Sequence, residues 1–262
     1  MNLQRISNTI IIASGKGGVG KTWLSINLAQ ALVNQKQRVL LFDGDLGLAN
    51  MDIQLGLKSK WDLGSVLKKK CSFEDAIFSH KINLRTKAHI DIITGRSNDG
   101  VFTTVSKAGV LSLRNSLTAI APKYDHTIMD LSAGLDQIIQ EFSTFACQCL
   151  VVVTDEPASL ADAAAFIKVT SQRNPDLPLH IVVNMAQSDT QGRSTYASLI
   201  KDCRLFLRKP PELAGIIRQD RSVPDSISHK SSTITRHPRS QATSDIQRMA
   251  TSLLKLGVIK KA

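Results

Sequence analysis

Short apolar runs, mostly β-branched, recur along the chain between stretches of helical spacing. They are Thr9–Ala13, Arg38–Phe42, Ile90–Thr94, His126–Met129, Leu150–Thr154 and Leu179–Val183, with a weaker one at Leu213–Ile217. Several are apolar almost throughout instead of alternating, as strands covered on both faces are. Between them, Trp23–Asn34 repeats Leu24, Leu28, Ala31 and Leu32 at helical spacing, and Leu160–Gln172 repeats Ala161, Ala164, Ala165 and Ile167. Strands alternating with helices predict an α/β fold: one domain over residues 1–262, with a mostly parallel twisted sheet and helices on both faces. Asp189–Pro211 reads as helix and loop, and Ser222–Ser240 as partly irregular. Ser244-Asp245 reads as the cap of a last helix running through Ile246, Met249, Leu253 and Leu256.

The 262 residues carry 33 Lys+Arg and 22 Asp+Glu, a net charge of +11, and 42% are hydrophobic. That balance excludes a wholly disordered chain. No run of about 18 apolar residues is present, and the N-terminus lacks a signal-peptide pattern, so the expected location is cytoplasmic. The charge is uneven. Residues 1–192 hold 19 basic and 17 acidic side chains, whereas residues 193–262 hold 14 and 5. A basic C-terminal quarter points to an anionic partner surface, nucleic acid or acidic lipid. The cysteines Cys71, Cys147, Cys149 and Cys203 lack zinc-ligand spacing and read as reduced thiols, at least one of them buried.

The strongest chemical signal is Gly15-Lys16-Gly17-Gly18-Val19-Gly20-Lys21-Thr22, which fits G-x4-G-K-[ST] after an apolar strand and before a helix. Glycines let consecutive N–H groups curl around phosphate oxygens, and the helix that follows points its positive end at the anion. Lys21 suits the β- and γ-phosphates, and the Thr22 hydroxyl suits Mg²⁺. This is the signature of a P-loop NTPase. Asp43 and Asp45 end the second run, where an open α/β sheet binds its ligands. One of the two suits a Mg²⁺-bound water, and the other the attacking water. Asp130 closes another apolar run, as a Mg²⁺-linked carboxylate does, and Gly134 offers an N–H to a γ-phosphate.

Lys16, directly after the first glycine, is not needed by a bare phosphate loop. With it, the segment resembles the deviant Walker A motif of the MinD/ParA class of dimerising ATPases. The resemblance implies that Lys16 reaches the partner's nucleotide across an ATP-dependent homodimer. Asp43-Gly44-Asp45-Leu46-Gly47-Leu48-Ala49-Asn50-Met51-Asp52 resembles switch I of MinD and of the FlhG/FleN flagellar-number regulators. It makes Asp45 the water-positioning residue and Asp43 a Mg²⁺-linked one. Asp130, Ala133 and Gly134 match the family's D-x-x-A-G, and Thr154-Asp155-Glu156-Pro157-Ala158-Ser159-Leu160 matches its T-x-E-P-x-S-L. By the same resemblance Asn184, Ile216, Arg218 and Asp220 surround the adenine. Trp23 stands where the class commonly has a second Thr, leaving only its backbone N–H for the α-phosphate.

The implied function is slow ATP hydrolysis with Mg²⁺, stimulated by a regulatory protein partner and controlling flagellar number or division-site placement. Residues 245–262 loosely resemble MinD's membrane-binding tail, which implies peripheral membrane association, although a helix packed on the sheet is the preferred reading there. The alternatives are a ParA-like ATPase binding non-specific DNA through its basic C-terminal region, and a nucleotide-binding scaffold with little hydrolysis. Residues 1–8 carry no counterpart of the flagellar regulators' D-Q-A-x-x-L activator motif. No N-K-x-D motif favours GTP.

Overall fold

The buried apolar runs form an eight-stranded sheet in this computed structural model, which describes residues 6–45, 49–82, 88–95, 105–134 and 137–255. The strands are β1 (Ile6–Ser14), β2 (Val39–Asp43), β3 (Phe78–Lys81), β4 (His89–Ile93), β5 (His126–Ala133), β6 (Ala146–Val153), β7 (Leu179–Ala186) and β8 (Glu212–Arg218). Their spatial order is β3-β4-β2-β5-β1-β6-β7-β8. All neighbours are parallel except β3 and β4.

Strand side chains alternate between two apolar layers. Ile11, Leu40, Phe42 and Val151 face α3 (Leu63–Leu67), α4 (Lys107–Ile120), α5 (Gln137–Ser143), α6 (Pro157–Arg173) and α7 (Asp189–Cys203). Ile10, Ile12, Leu41 and Val152 face α1 (Lys21–Asn34), α2 (Met51–Leu55) and the C-terminal helices α8 (Ser222–Ser228), α9 (Thr233–Arg236) and α10 (Gln241–Lys255). Two covered faces explain why these strands are apolar throughout. No helix among the described residues is long and apolar enough to cross a membrane.

Three details differ from the pattern in the sequence. The polar Phe-Ser-His-Lys of β3 carries no apolar run, yet it pairs antiparallel with β4 at the edge. β5 continues to Ala133, so Asp130 lies inside the strand and not at its end. The last helix begins at Gln241, ahead of Ser244-Asp245. The Ser240 hydroxyl does the capping, accepting from the Thr243 N–H at 3.2 Å. Asp245 is instead buried in the helix and holds Arg218 of β8. From Ile246 to Leu254 the helix packs on the sheet, with Ile246, Met249, Ala250, Leu253 and Leu254 buried. All four cysteines are free thiols, and Cys149 and Cys203 are buried. Leu46-Gly47-Leu48 and the tail residues 256–262 lie outside the described residues.

Candidate nucleotide-binding site

Seven parallel strands place their C-terminal ends at one end of the sheet, and the loops leaving β1, β2, β5 and β6 gather there. Residues 15–20 leave β1 and enter α1 through Gly20, whose φ of 91° is left-handed. A Cβ on Gly20 would stand 2.4 Å from Asn184 Nδ2, and one on Gly15 would stand 2.2 Å from the Asp162 backbone. A Cβ on Gly17 or Gly18 would meet nothing within 4 Å. The loop is thus pressed between β7 and α6 on its inner side and open outside, a cradle that fits a phosphate. The Asn184 amide donates to the Val19 carbonyl at 2.8 Å and closes the inner side.

Lys21 Nζ donates to Ser14 Oγ at 3.0 Å, and that hydroxyl donates to the Lys16 carbonyl at 2.6 Å. Burial holds the Lys21 ammonium below its ordinary pKa, while the nearby Asp130 and Asp45 carboxylates act the other way. Asp43 and Asp130 are paired in register across β2 and β5, both essentially fully buried. Burial and, for Asp43, repulsion from Asp130 push both carboxyls above the usual carboxylate range. The Ser25 hydroxyl donates to Asp130 at 3.2 Å, and the nearby Thr22 hydroxyl favours the charged form of that carboxyl. This all-oxygen set fits Mg²⁺, with Thr22, Asp43 and Asp130 as the residues to hold it or its waters. Among the described residues no group of three His, Cys, Asp or Glu side chains is placed to hold a metal ion. When bound, such an ion neutralises charge on the β- and γ-phosphates.

Gly44 ties the Asp43–Asp45 turn to β5 through an N–H bond to the Asp130 carbonyl at 2.8 Å. That turn brings Asp45 within electrostatic reach of Lys21. Lys16 lies on the outer edge of the loop and forms an ion pair with the exposed Glu156, the residue before α6. The Gly134 N–H donates to the Ser14 carbonyl at 2.9 Å, so a γ-phosphate would compete with that carbonyl for it.

The adenine-side residues are more dispersed. Asn184 stands against the phosphate loop. Ile216 packs on Gly192 of α7, and Arg218 forms a bidentate pair with Asp245. Asp220 accepts from the N–H groups of Ser222 and Ala242 at the starts of α8 and α10. The Trp23 side chain is buried against α9, its indole N–H bonded to Thr233. Three site residues carried no motif signal, Ser14, Ser25 and Met185, and Glu156 lay in a matched stretch that did not foretell its pairing with Lys16. Met185 follows Asn184 with a left-handed φ of 58°, is 45% exposed and lies beside Gly20.

Fold and site together define a phosphate-loop nucleotide-binding α/β protein. The sequence matches the CobQ/CobB/MinD/ParA nucleotide binding domain over residues 10–234, and the chain belongs to that family. It is 33% identical over 234 residues to the antiactivator FleN of Pseudomonas aeruginosa, covering 89% of this chain and 81% of that protein. To the flagellum site-determining protein YlxH of Helicobacter pylori it is 32% identical over 193 residues, covering 73% and 63%. The MinD chain fold is shared as well. A structure of the MinC:MinD cell division protein complex of Aquifex aeolicus matches with a TM-score of 0.77, 24% identity and 97% of both chains covered. MinD of Pyrococcus horikoshii complexed with Mg-ADP matches at 0.73, with 23% identity and 97% and 99% covered.

Proposed function

We propose that this chain is an ATPase switch of the MinD/FlhG type, acting in flagellar number or division-site placement. The observation that carries this reading is the pair of lysines on one phosphate loop. Lys21 is half-enclosed beside Asp130, whereas Lys16 stands at the rim and pairs with the exposed carboxylate of Glu156. A rim cation is placed to meet charge outside its own loop. In this reading ATP and Mg²⁺ draw two copies together, and each Lys16 exchanges Glu156 for the phosphates held by the other copy. Asp45 orients the attacking water, and loss of the γ-phosphate removes the contacts that hold the dimer. Hydrolysis is slow until a partner protein stimulates it.

Light scattering of the Asp45→Ala variant tests this. With MgATP it runs at twice the monomer mass, and Lys16→Ala stays monomeric while retaining some ATP binding. A monomeric Asp45→Ala protein in saturating MgATP overturns the reading. The second reading, partition on DNA, is favoured by the exposed Arg221, Lys230, Arg236 and Arg239 of the C-terminal quarter. It requires ATP-dependent DNA retention that falls steeply with salt.

A further inference from the structure

Trp23 marks an unusual contact. Three residues on one face of α1, Trp23, Asn27 and Gln30, carry polar side chains into the buried layer, where helix faces are normally apolar. All three meet the four consecutive residues Ser232–Thr235. The Trp23 indole N–H donates to Thr233 Oγ1 at 2.8 Å. The Ile234 N–H donates to Asn27 Oδ1 at 3.2 Å, and Gln30 Nε2 donates to Thr235 Oγ1 at 2.7 Å. The Ser232 hydroxyl donates to Gln30 Oε1. Buried polar groups tolerate only the arrangement that satisfies all of them, so this row of bonds specifies one register of α9 on α1.

The clip is anchored on its outer side too. Asp225 of α8 accepts from Arg236 at 2.5 Å and from His237 at 2.6 Å. Arg221, Lys230 and Arg239 are exposed on the same segment. At its inner side the clip grips the first turn of α1. That turn carries the N–H groups left free to face an anion, and Trp23 is two residues beyond Lys21. A displacement of this turn therefore shifts the indole against Thr233.

We propose that Trp23 is a positioning residue. Through Thr233 it couples phosphate capture at the start of α1 to the cationic segment 221–240. The proposal rests on the nucleotide-binding reading above. Coupling of this kind is reciprocal: bound nucleotide tightens the clip, and the clip tightens nucleotide binding.

The test uses the full chain with Trp61→Phe, which leaves Trp23 as the only one of two tryptophans. Trp23 emission and amide hydrogen exchange at residues 232–236 are followed as MgATP is added. Thr233→Val removes the acceptor at equal size, and Thr233→Ser keeps the hydroxyl. MgATP is expected to shift the emission and slow the exchange. Thr233→Val weakens MgATP binding roughly 5- to 10-fold and loses the exchange response, and Thr233→Ser restores both. If MgATP binds the parent protein but leaves emission and exchange unchanged, the coupling is wrong and the nucleotide reading survives. The coupling also fails if Thr233→Val lowers thermal stability with MgATP affinity intact, since the bond is then only structural. If the parent binds no MgATP, both fall. Should Thr233→Val not fold, exchange in the parent still decides.

Discussion

At the phosphate loop, two glycines of one motif answer to different neighbours. Gly20 has a left-handed φ of 91° and no room for a Cβ beside Asn184, whereas Gly17 faces open space. Gly20→Ala is therefore expected to lower stability by about 1–3 kcal/mol in urea unfolding, from backbone strain and crowding together. Gly17→Ala should leave stability within about 0.5 kcal/mol and weaken ATP binding, because its methyl enters the space where phosphate oxygens approach. Equal stability losses in the two variants would contradict this division. The motif itself was legible in the sequence because its residues are contiguous and their chemistry is local. Its supports were not. Ser25 reaches Asp130 across 105 residues, and Asn184 reaches Val19 across 165. Nothing in the composition near Asn184 says that its amide closes the loop.

Elements with strong periodicity were readable, and those whose identity depends on a neighbour were not. The apolar runs of β1, β2 and β5–β7 announced strands buried on both faces. β3 has four residues of alternating exposure and exists through its pairing with β4. The five-residue α2 and α3 are too short to carry a period. Asp245 shows how a local rule is overridden: its side chain suits a cap, but its carboxylate is 1% exposed and bonds the Arg218 N–H, the Arg218 guanidinium and Arg248. It joins α10 to the edge strand β8. Asp245→Ala should cost about 2–3 kcal/mol, because it removes charge-assisted bonds and leaves the Arg218 N–H without its acceptor. Arg248→Ala should cost far less, since that side chain is 64% exposed. Chemical denaturation of the two variants checks the order.

Across the whole molecule, chemistry and charge occupy different parts of the chain. The phosphate side of the candidate site draws on residues 14–45, 130–134, 156 and 184, while the excess of basic residues falls after 192. The +11 net charge therefore does not describe the site, whose buried charged groups include the carboxylates of Asp43 and Asp130. Binding to the folded state alone must stabilise it by mass action. MgATP at about 100 times its Kd should add about 2.7 kcal/mol and raise the melting temperature by about 5–10 °C. Lys21→Ala should abolish most of that rise, and an unchanged rise in the variant would separate the thermal effect from this loop.

The inner wall of the loop has a kinetic consequence. Gly15 lies against the Asp162 backbone and Gly20 against Asn184, so protein contacts fix the inner wall of the cradle. A loop held in place has little conformational freedom to surrender on binding. Capture then depends on encounter and on stripping water from the phosphates. Differences in affinity between nucleotides fall mainly on how long each one stays. In such a molecule, residence time sets how strongly one nucleotide is preferred to another.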